Sequence, residues 1–132
     1  MDLKSTSCKC GSNKDYKDCC GLYISGLKLP HLPEQLMRSR YTAYSVRNID
    51  YIAKSMCGKA ITGFNIKEAE IWAQQVIWQK LEIIATSLAS KTKGFVEFKA
   101  YFTDNQQPHI LHEISEFHFK NGKWFYVDGV IF

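Results

Sequence analysis

Four of the chain's five cysteines fall between positions 8 and 20, as Cys8-x-Cys10 and the adjacent pair Cys19-Cys20. Clustered thiols support three kinds of chemistry: a disulfide framework, redox exchange, or metal binding. Adjacent Cα atoms lie about 3.8 Å apart, below the roughly 4.4–6.8 Å that a disulfide spans, so Cys19 and Cys20 make a poor pair with each other. A thioredoxin-type redox site needs C-x-x-C, a spacing that does not occur here. A tetrahedral zinc ion takes soft ligands, commonly as two close pairs. The spacing therefore favours a metal over redox exchange or disulfides.

The intervening residues suit that role. Gly11-Ser12 reads as a turn whose amides can face sulfur and stabilise thiolate. Asp15 to Cys20 has the length of one or two helical turns, with Gly21 at the position of a helix C-cap and Tyr16 as an apolar lid. The pattern C-x-C-G-S-x-x-x-Y-x-x-C-C-G, Cys8 to Gly21, resembles the SEC-C motif of the preprotein translocase ATPase, which binds zinc and docks an export chaperone and ribosomes. The resemblance implies Cys8, Cys10, Cys19 and Cys20 as ligands of Zn2+, and a protein or ribosomal partner. Asn13 stands where most members have Gly. Asn is the residue other than Gly that best tolerates a left-handed backbone, so the turn is expected to survive. Cys57, beside Gly58, is expected to be an inert thiol.

These ligands need a platform. Residues 22–33 carry one Gly and two Pro and read as an extended linker. A helix is expected from Pro33, with Met37, Tyr41 and Tyr44 on one face and Arg38 and Arg40 flanking it. A second short helix is expected with Asp50 as its cap, and a third over Lys67–Gln75. From Trp78 the period changes to two: strands are expected over 78–88, 94–103, 109–120 and 123–130. Asn121-Gly122 is the strongest hairpin signal. Helices followed by antiparallel strands mean an α+β fold.

That order, with LMRSRYTAYSVRNIDYIAKSM before the strands and WFYVDG near the end, resembles the YchJ family, which joins a SEC-C motif to a nuclear-transport-factor-2-like domain. The resemblance implies a cone: a curved, mainly antiparallel sheet wrapped around a long helix and enclosing a pocket. It implies residues 1–26 as the zinc knuckle and 27–132 as the pocket domain. It brings no established activity. Many relatives carry a second SEC-C motif; this chain ends at Val130-Ile131-Phe132, so none is expected.

Strand parity puts Leu111, Glu113, Ser115, Phe117 and Phe119 on the inner face. A buried carboxylate needs a cation or a raised pKa, and Arg38 or Arg40 is the natural partner. Two readings follow. Glu113 is a structural partner of arginine, the favoured one, or an acid–base residue with Asp128, Tyr126, Ser115 and Arg40 in an isomerase- or hydrolase-like pocket. The balance leans away from an enzyme. The pocket would take a small apolar or amphipathic ligand, or the sheet would pair with a second copy as a homodimer. His112 and His118 lie on the outer face and are not expected to hold a metal. His31 in the linker lies near a tetrahedron already filled.

The formal charge of +4 falls by two if four thiolates hold one dication. That is too weak to argue for nucleic acid, although tyrosines and basic residues interleave around the knuckle. No apolar run is long enough to span a bilayer, and the N-terminal MDLKSTSCKC lacks the apolar stretch of a secretory signal. A cytoplasmic location, with reduced thiols, is expected.

Overall fold

The structure, a computed structural model, describes residues 7–132. The part of the knuckle and of the N-terminal reading that falls on residues 1–6 lies outside the described residues. A 3-10 turn at Tyr16–Asp18 leads into α1 (Cys20–Ile24), α2 (Pro33–Ser45), α3 (Ile49–Lys54), α4 (Lys59–Thr62) and α5 (Ile66–Gln75). Then come β1 (Val76–Ser90), β2 (Lys93–Asp104), β3 (Gln107–Lys120) and β4 (Lys123–Ile131). The strands form one antiparallel sheet in the order β1-β2-β3-β4. The expected α+β order is present.

Local chemistry sets most boundaries. Pro33 opens α2 where its missing N–H costs nothing. Gln35 Oε1 accepts the N–H groups of His31 at 2.6 Å and Leu32 at 3.1 Å. Arg47, with φ of +62°, turns the chain out after α2. The expected Asp50 cap is corrected: Asn48 Oδ1 accepts the Tyr51 N–H at 3.1 Å, and Asp50 sits in the first turn of α3. Asn has the better reach there because it precedes the helix rather than belonging to it. Asn65 caps α5 in the same way. Between β3 and β4, Asn121 and Gly122 both have positive φ, +50° and +84°. That is the backbone a two-residue hairpin loop requires.

Two expectations near the knuckle change. Leu22–Ile24 are helical rather than extended linker. Gly21 lies inside α1 and is not its cap; a Cβ there would meet the Tyr16 carbonyl oxygen at 2.6 Å and its ring at 2.9 Å. Gly21 is needed for close approach, and the left-handed residue after α1 is Gly26, φ +86°. The sequence reading also lacked α4.

Register shifts in β1 and one in β4, where Val127 is the extra residue opposite the Glu116–Phe117 step, bend the sheet, as bulges do. The inner face carries Val96, Phe98, Ala100 and Phe117 against Leu36, Met37 and Tyr41 of α2, and Cys8, Cys10 and Cys20 belong to the same buried cluster. A smaller cluster joins Ala43, Ile49, Ile52 and Ala73. The α3–α4 junction is pinned to β4: Tyr126 N–H donates to the Ser55 carbonyl at 2.8 Å, and Cys57 N–H to the Tyr126 carbonyl at 3.0 Å. Trp124 Nε1 donates to the His31 carbonyl at 3.1 Å, which holds the linker on the sheet. No helix among the described residues is long and apolar enough to cross a membrane.

Candidate functional site

The sulfurs of Cys8, Cys10, Cys19 and Cys20 all lie within 4.8 Å of one another. A tetrahedron with metal–sulfur bonds of about 2.3 Å has edges of about 3.8 Å, and Cys10 Sγ to Cys19 Sγ is 3.6 Å. The donor set therefore fits a tetrahedral metal ion. Gly11 and Asn13 supply the turn with φ of +82° and +69°; Asn does take the left-handed backbone. The Cys8 N–H donates to the Lys14 carbonyl at 2.9 Å and closes the loop. The Ser12 hydroxyl lies 3.1 Å from Cys19 Sγ. Thr42 of α2 lies 3.7 Å from Cys8 Sγ, and Arg38 Nη1 donates to the Cys10 carbonyl at 2.9 Å. Helix α2 is thus the platform on which the knuckle rests. Sequence reasoning missed Thr42, which nothing in the local pattern marks.

Thiol electrostatics point the same way. Hydrogen bonds from Cys10 and Cys20 pull the Cys8 thiol down, so a first thiolate forms readily. Cys20 is pushed up by the same bonds to Cys10 and Cys8 and by burial. Burial raises Cys19, against the pull of Ser12. Cys19 and Cys20 thus resist ionisation in this cluster, a resistance that a bound cation relieves.

On the other side of α2 lies a cavity of ≈ 380 Å³. It brings together Glu113, Asp128, Tyr126, Ser115 and Arg40. Glu113 is buried and its Oε2 accepts from the Ser115 hydroxyl at 2.6 Å and the Tyr126 hydroxyl at 3.1 Å. The expected Arg–Glu bridge is not direct. Arg40 Nη1 donates to the Ile52 carbonyl at 2.9 Å and to Ser55 Oγ at 2.6 Å, and its guanidinium lies 4.6 Å from the centre of the Tyr126 ring. Arg38 pairs with Glu34 instead. Tyr126 is therefore the link between the two charges. Burial, then the charge of Glu113, pushes its phenol up, so it acts as a lasting donor. Asp128 is held down by the Gly129 N–H and pairs with Lys59 at 3.4 Å on the rim.

Gly129 makes this arrangement possible. A Cβ at that position would collide with the Glu113 carboxylate and lie 2.7 Å from the Tyr126 hydroxyl. Gly129→Ala is expected to cost about 1–3 kcal/mol, the usual penalty for overfilling a packed site. A urea melt of the variant checks this; an unchanged midpoint would mean the carboxylate moves freely.

One further wall is aromatic and was not foreseen as part of a site. Trp72 and Trp78 meet edge to face at 5.4 Å, and Tyr44 stands against both. The helical stripe placed Trp72 on a helix without showing which element it faces. His112 and His118 pair outward with Glu97 and Glu116, each at 2.7 Å. They do not converge with each other, and His31 is not part of the sulfur cluster.

A SEC-C motif on a nuclear-transport-factor-2-like domain defines the class of protein. Residues 5–22 match the family model of the SEC-C motif, and residues 32–129 match that of the middle NTF2-like domain of YchJ. The UPF0225 protein VP1145 of Vibrio parahaemolyticus is 38% identical over 129 residues, covering 95% of this chain and 75% of its own. The solution structure of a SEC-C motif containing protein from Rhodopseudomonas palustris matches with a TM-score of 0.86 and 32% identity, over 94% of this chain and 97% of that one. A crystal structure of a SEC-C motif containing protein from Psychrobacter arcticus matches with a TM-score of 0.81 and 29% identity, over 98% and 84%. The chain belongs to the YchJ family.

Proposed function

We propose that Cys8, Cys10, Cys19 and Cys20 hold one zinc ion, and that the stapled knuckle, residues 1–26, docks on a protein or ribosomal surface in the cytoplasm. The domain formed by residues 27–132 carries it and binds a small ligand in its cavity. The observation that carries the reading is the four sulfurs gathered within 4.8 Å, three of them buried. A softer donor set than four thiolates is not available to the chain, and zinc suits it. Around the buried sulfurs, Lys9, Lys14 and Lys17 are exposed, and Leu27, Leu29 and Leu32 are exposed in the segment that follows. A partner surface of acidic and apolar groups, or ribosomal phosphate, would complement them.

Metal content of protein purified without added metal, with thiols counted before and after chelation, tests the first half. One zinc per chain and four thiols released on stripping are expected. Cosedimentation with isolated ribosomes tests the second. Replacing Lys9, Lys14 and Lys17 together by Glu is expected to abolish it; equal pelleting of variant and wild type would remove the knuckle as the docking surface.

The rival reading makes the cavity an isomerase- or hydrolase-like site with Glu113 and Asp128 as acid and base. Its support is the buried carboxylate beside a cavity. Against it stand the two hydroxyls held on Glu113 Oε2 and the Lys59 partner of Asp128.

A further inference from the structure

Glu113 is 8% exposed and lines the cavity. Both of its hydrogen bonds fall on Oε2, so among the described residues Oε1 has no donor. Oε1 is not sealed in; it opens on the cavity, where a ligand donor can reach it, and the one buried side-chain polar atom without a partner among the described residues is Trp78 Nε1, also in the lining. Among the described residues Arg40 is the one basic residue of the lining, and it gives Oε1 no hydrogen bond. Its Nη1 is committed to Ile52 and Ser55, and its plane lies on Tyr126. Much of the rest of the wall is apolar, and Tyr44, Trp72 and Trp78 form an aromatic side of it, Trp72 set edge to face with each of the other two. Ring faces attract cations, Trp most strongly. The volume, ≈ 380 Å³, is at the lower end of small-molecule sites.

We propose that this cavity takes a small organic amine in its protonated form, the ammonium donating to Glu113 Oε1 and a flat apolar body lying among Tyr44, Trp72 and Trp78. The inference rests on the reading of the cavity as a ligand site. An acid of the same size would meet two carboxylates, Glu113 and Asp128, against the single guanidinium of Arg40, whose Nη1 is committed and whose face lies on Tyr126. A neutral alcohol would satisfy Oε1 as a donor but bring no charge to the carboxylate or the rings.

Three probes of one shape separate these cases: phenethylamine, phenethyl alcohol and hydrocinnamate, titrated calorimetrically into the full metal-loaded chain. The amine is expected to bind roughly ten- to a hundredfold more tightly than the alcohol, the range for a hydrogen bond to a charged group. The acid is expected not to bind at millimolar concentration. Glu113→Gln should remove most of the amine's advantage and leave the alcohol nearly unchanged. Trp72→Leu, which leaves the carboxylate in place, should also weaken the amine, so the proposal remains testable if the first variant folds poorly. Acid binding as well as the amine, or an amine no better than the alcohol, would overturn the amine class while leaving a ligand site. Binding of none of the three would overturn the ligand-site reading as well.

Discussion

Stripping the metal, by chelation or by Cys20→Ser, is expected to lower the melting temperature by about 10 °C or more and to loosen α2 before the sheet. Isolated zinc fingers gain roughly 10–16 kcal/mol of folding free energy from their metal because nothing else folds them. Here the rest of the chain has its own core, so only part of that is at stake. The part is still large: Cys8, Cys10 and Cys20 are packed with Leu36, Met37 and Tyr41, and Arg38 and Thr42 rest directly on the knuckle. A loss of about 3 kcal/mol corresponds to roughly 10 °C for a chain of this size. The sign with pH follows from proton competition. Thiolates bind the metal and thiols do not, so stabilisation is present at neutral and higher pH and is lost as pH falls. Sulfur hydrogen bonds, then burial, raise Cys20, and burial raises Cys19, which favours the thiol forms that compete with the metal. Hydrogen exchange read along the chain, with and without chelator, checks the prediction. Protection in α2 should fall while β2 and β3 keep theirs. An identical melt and exchange pattern in protein proven metal-free would show that the sulfur cluster holds itself together by packing alone.

The knuckle was legible in the sequence because its chemistry is local. Four cysteines at fixed spacing and an Asn able to take φ of +69° define the turn without reference to the rest of the chain. The β3–β4 hairpin was legible for a related reason. Alternation of apolar and polar residues put Glu113, Ser115 and Phe117 on one face, and Asn121-Gly122 fixed the loop. What failed depended on distant neighbours. Gly21 carries no sign in its own segment that the Tyr16 ring lies over it. Gly129 likewise gives no sign within its own strand that the Glu113 carboxylate lies against it. The Arg–Glu pairing was sound in charge but not in geometry. Arg40 reaches the C-terminal end of α3 instead, and the length of that reach is set by how α3 folds back on α2. The aromatic wall was missed because its residues come from α2, α5 and β1, and only the tertiary arrangement brings them together.

That displaced arginine carries the second large expectation. Arg40→Met should destabilise the protein by about 3–5 kcal/mol, and Glu113→Gln by only about 1 kcal/mol. Arg40 is 6% exposed. Burial pulls its pKa down, while the nearby Tyr44, Tyr126, Tyr51 and Glu113 hold it up. Removing the guanidinium takes a charged donor from the Ile52 carbonyl and from Ser55 Oγ, which keep only the Ser55 hydroxyl's own bonds to the Tyr51 and Ile52 carbonyls, and it uncovers the face of Tyr126. Hydrogen bonds from a charged group are worth about 1.5–3 kcal/mol each, and two of them are lost together with the contact on Tyr126. Glu113→Gln is milder because the amide still offers an oxygen to Ser115 or Tyr126 and no unpaired anion remains. Denaturant melts of both single variants and the double variant give the coupling between the sites. If Tyr126 is the only link, the coupling should be about 1 kcal/mol. A coupling of 3 kcal/mol or more would make Glu113 mainly the counter-charge of Arg40. Its carboxylate would then belong to the scaffold, and a ligand amine would have to compete with the arginine for it. A small coupling leaves Glu113 Oε1 electrostatically available, which is the condition under which the cavity can select for positive charge.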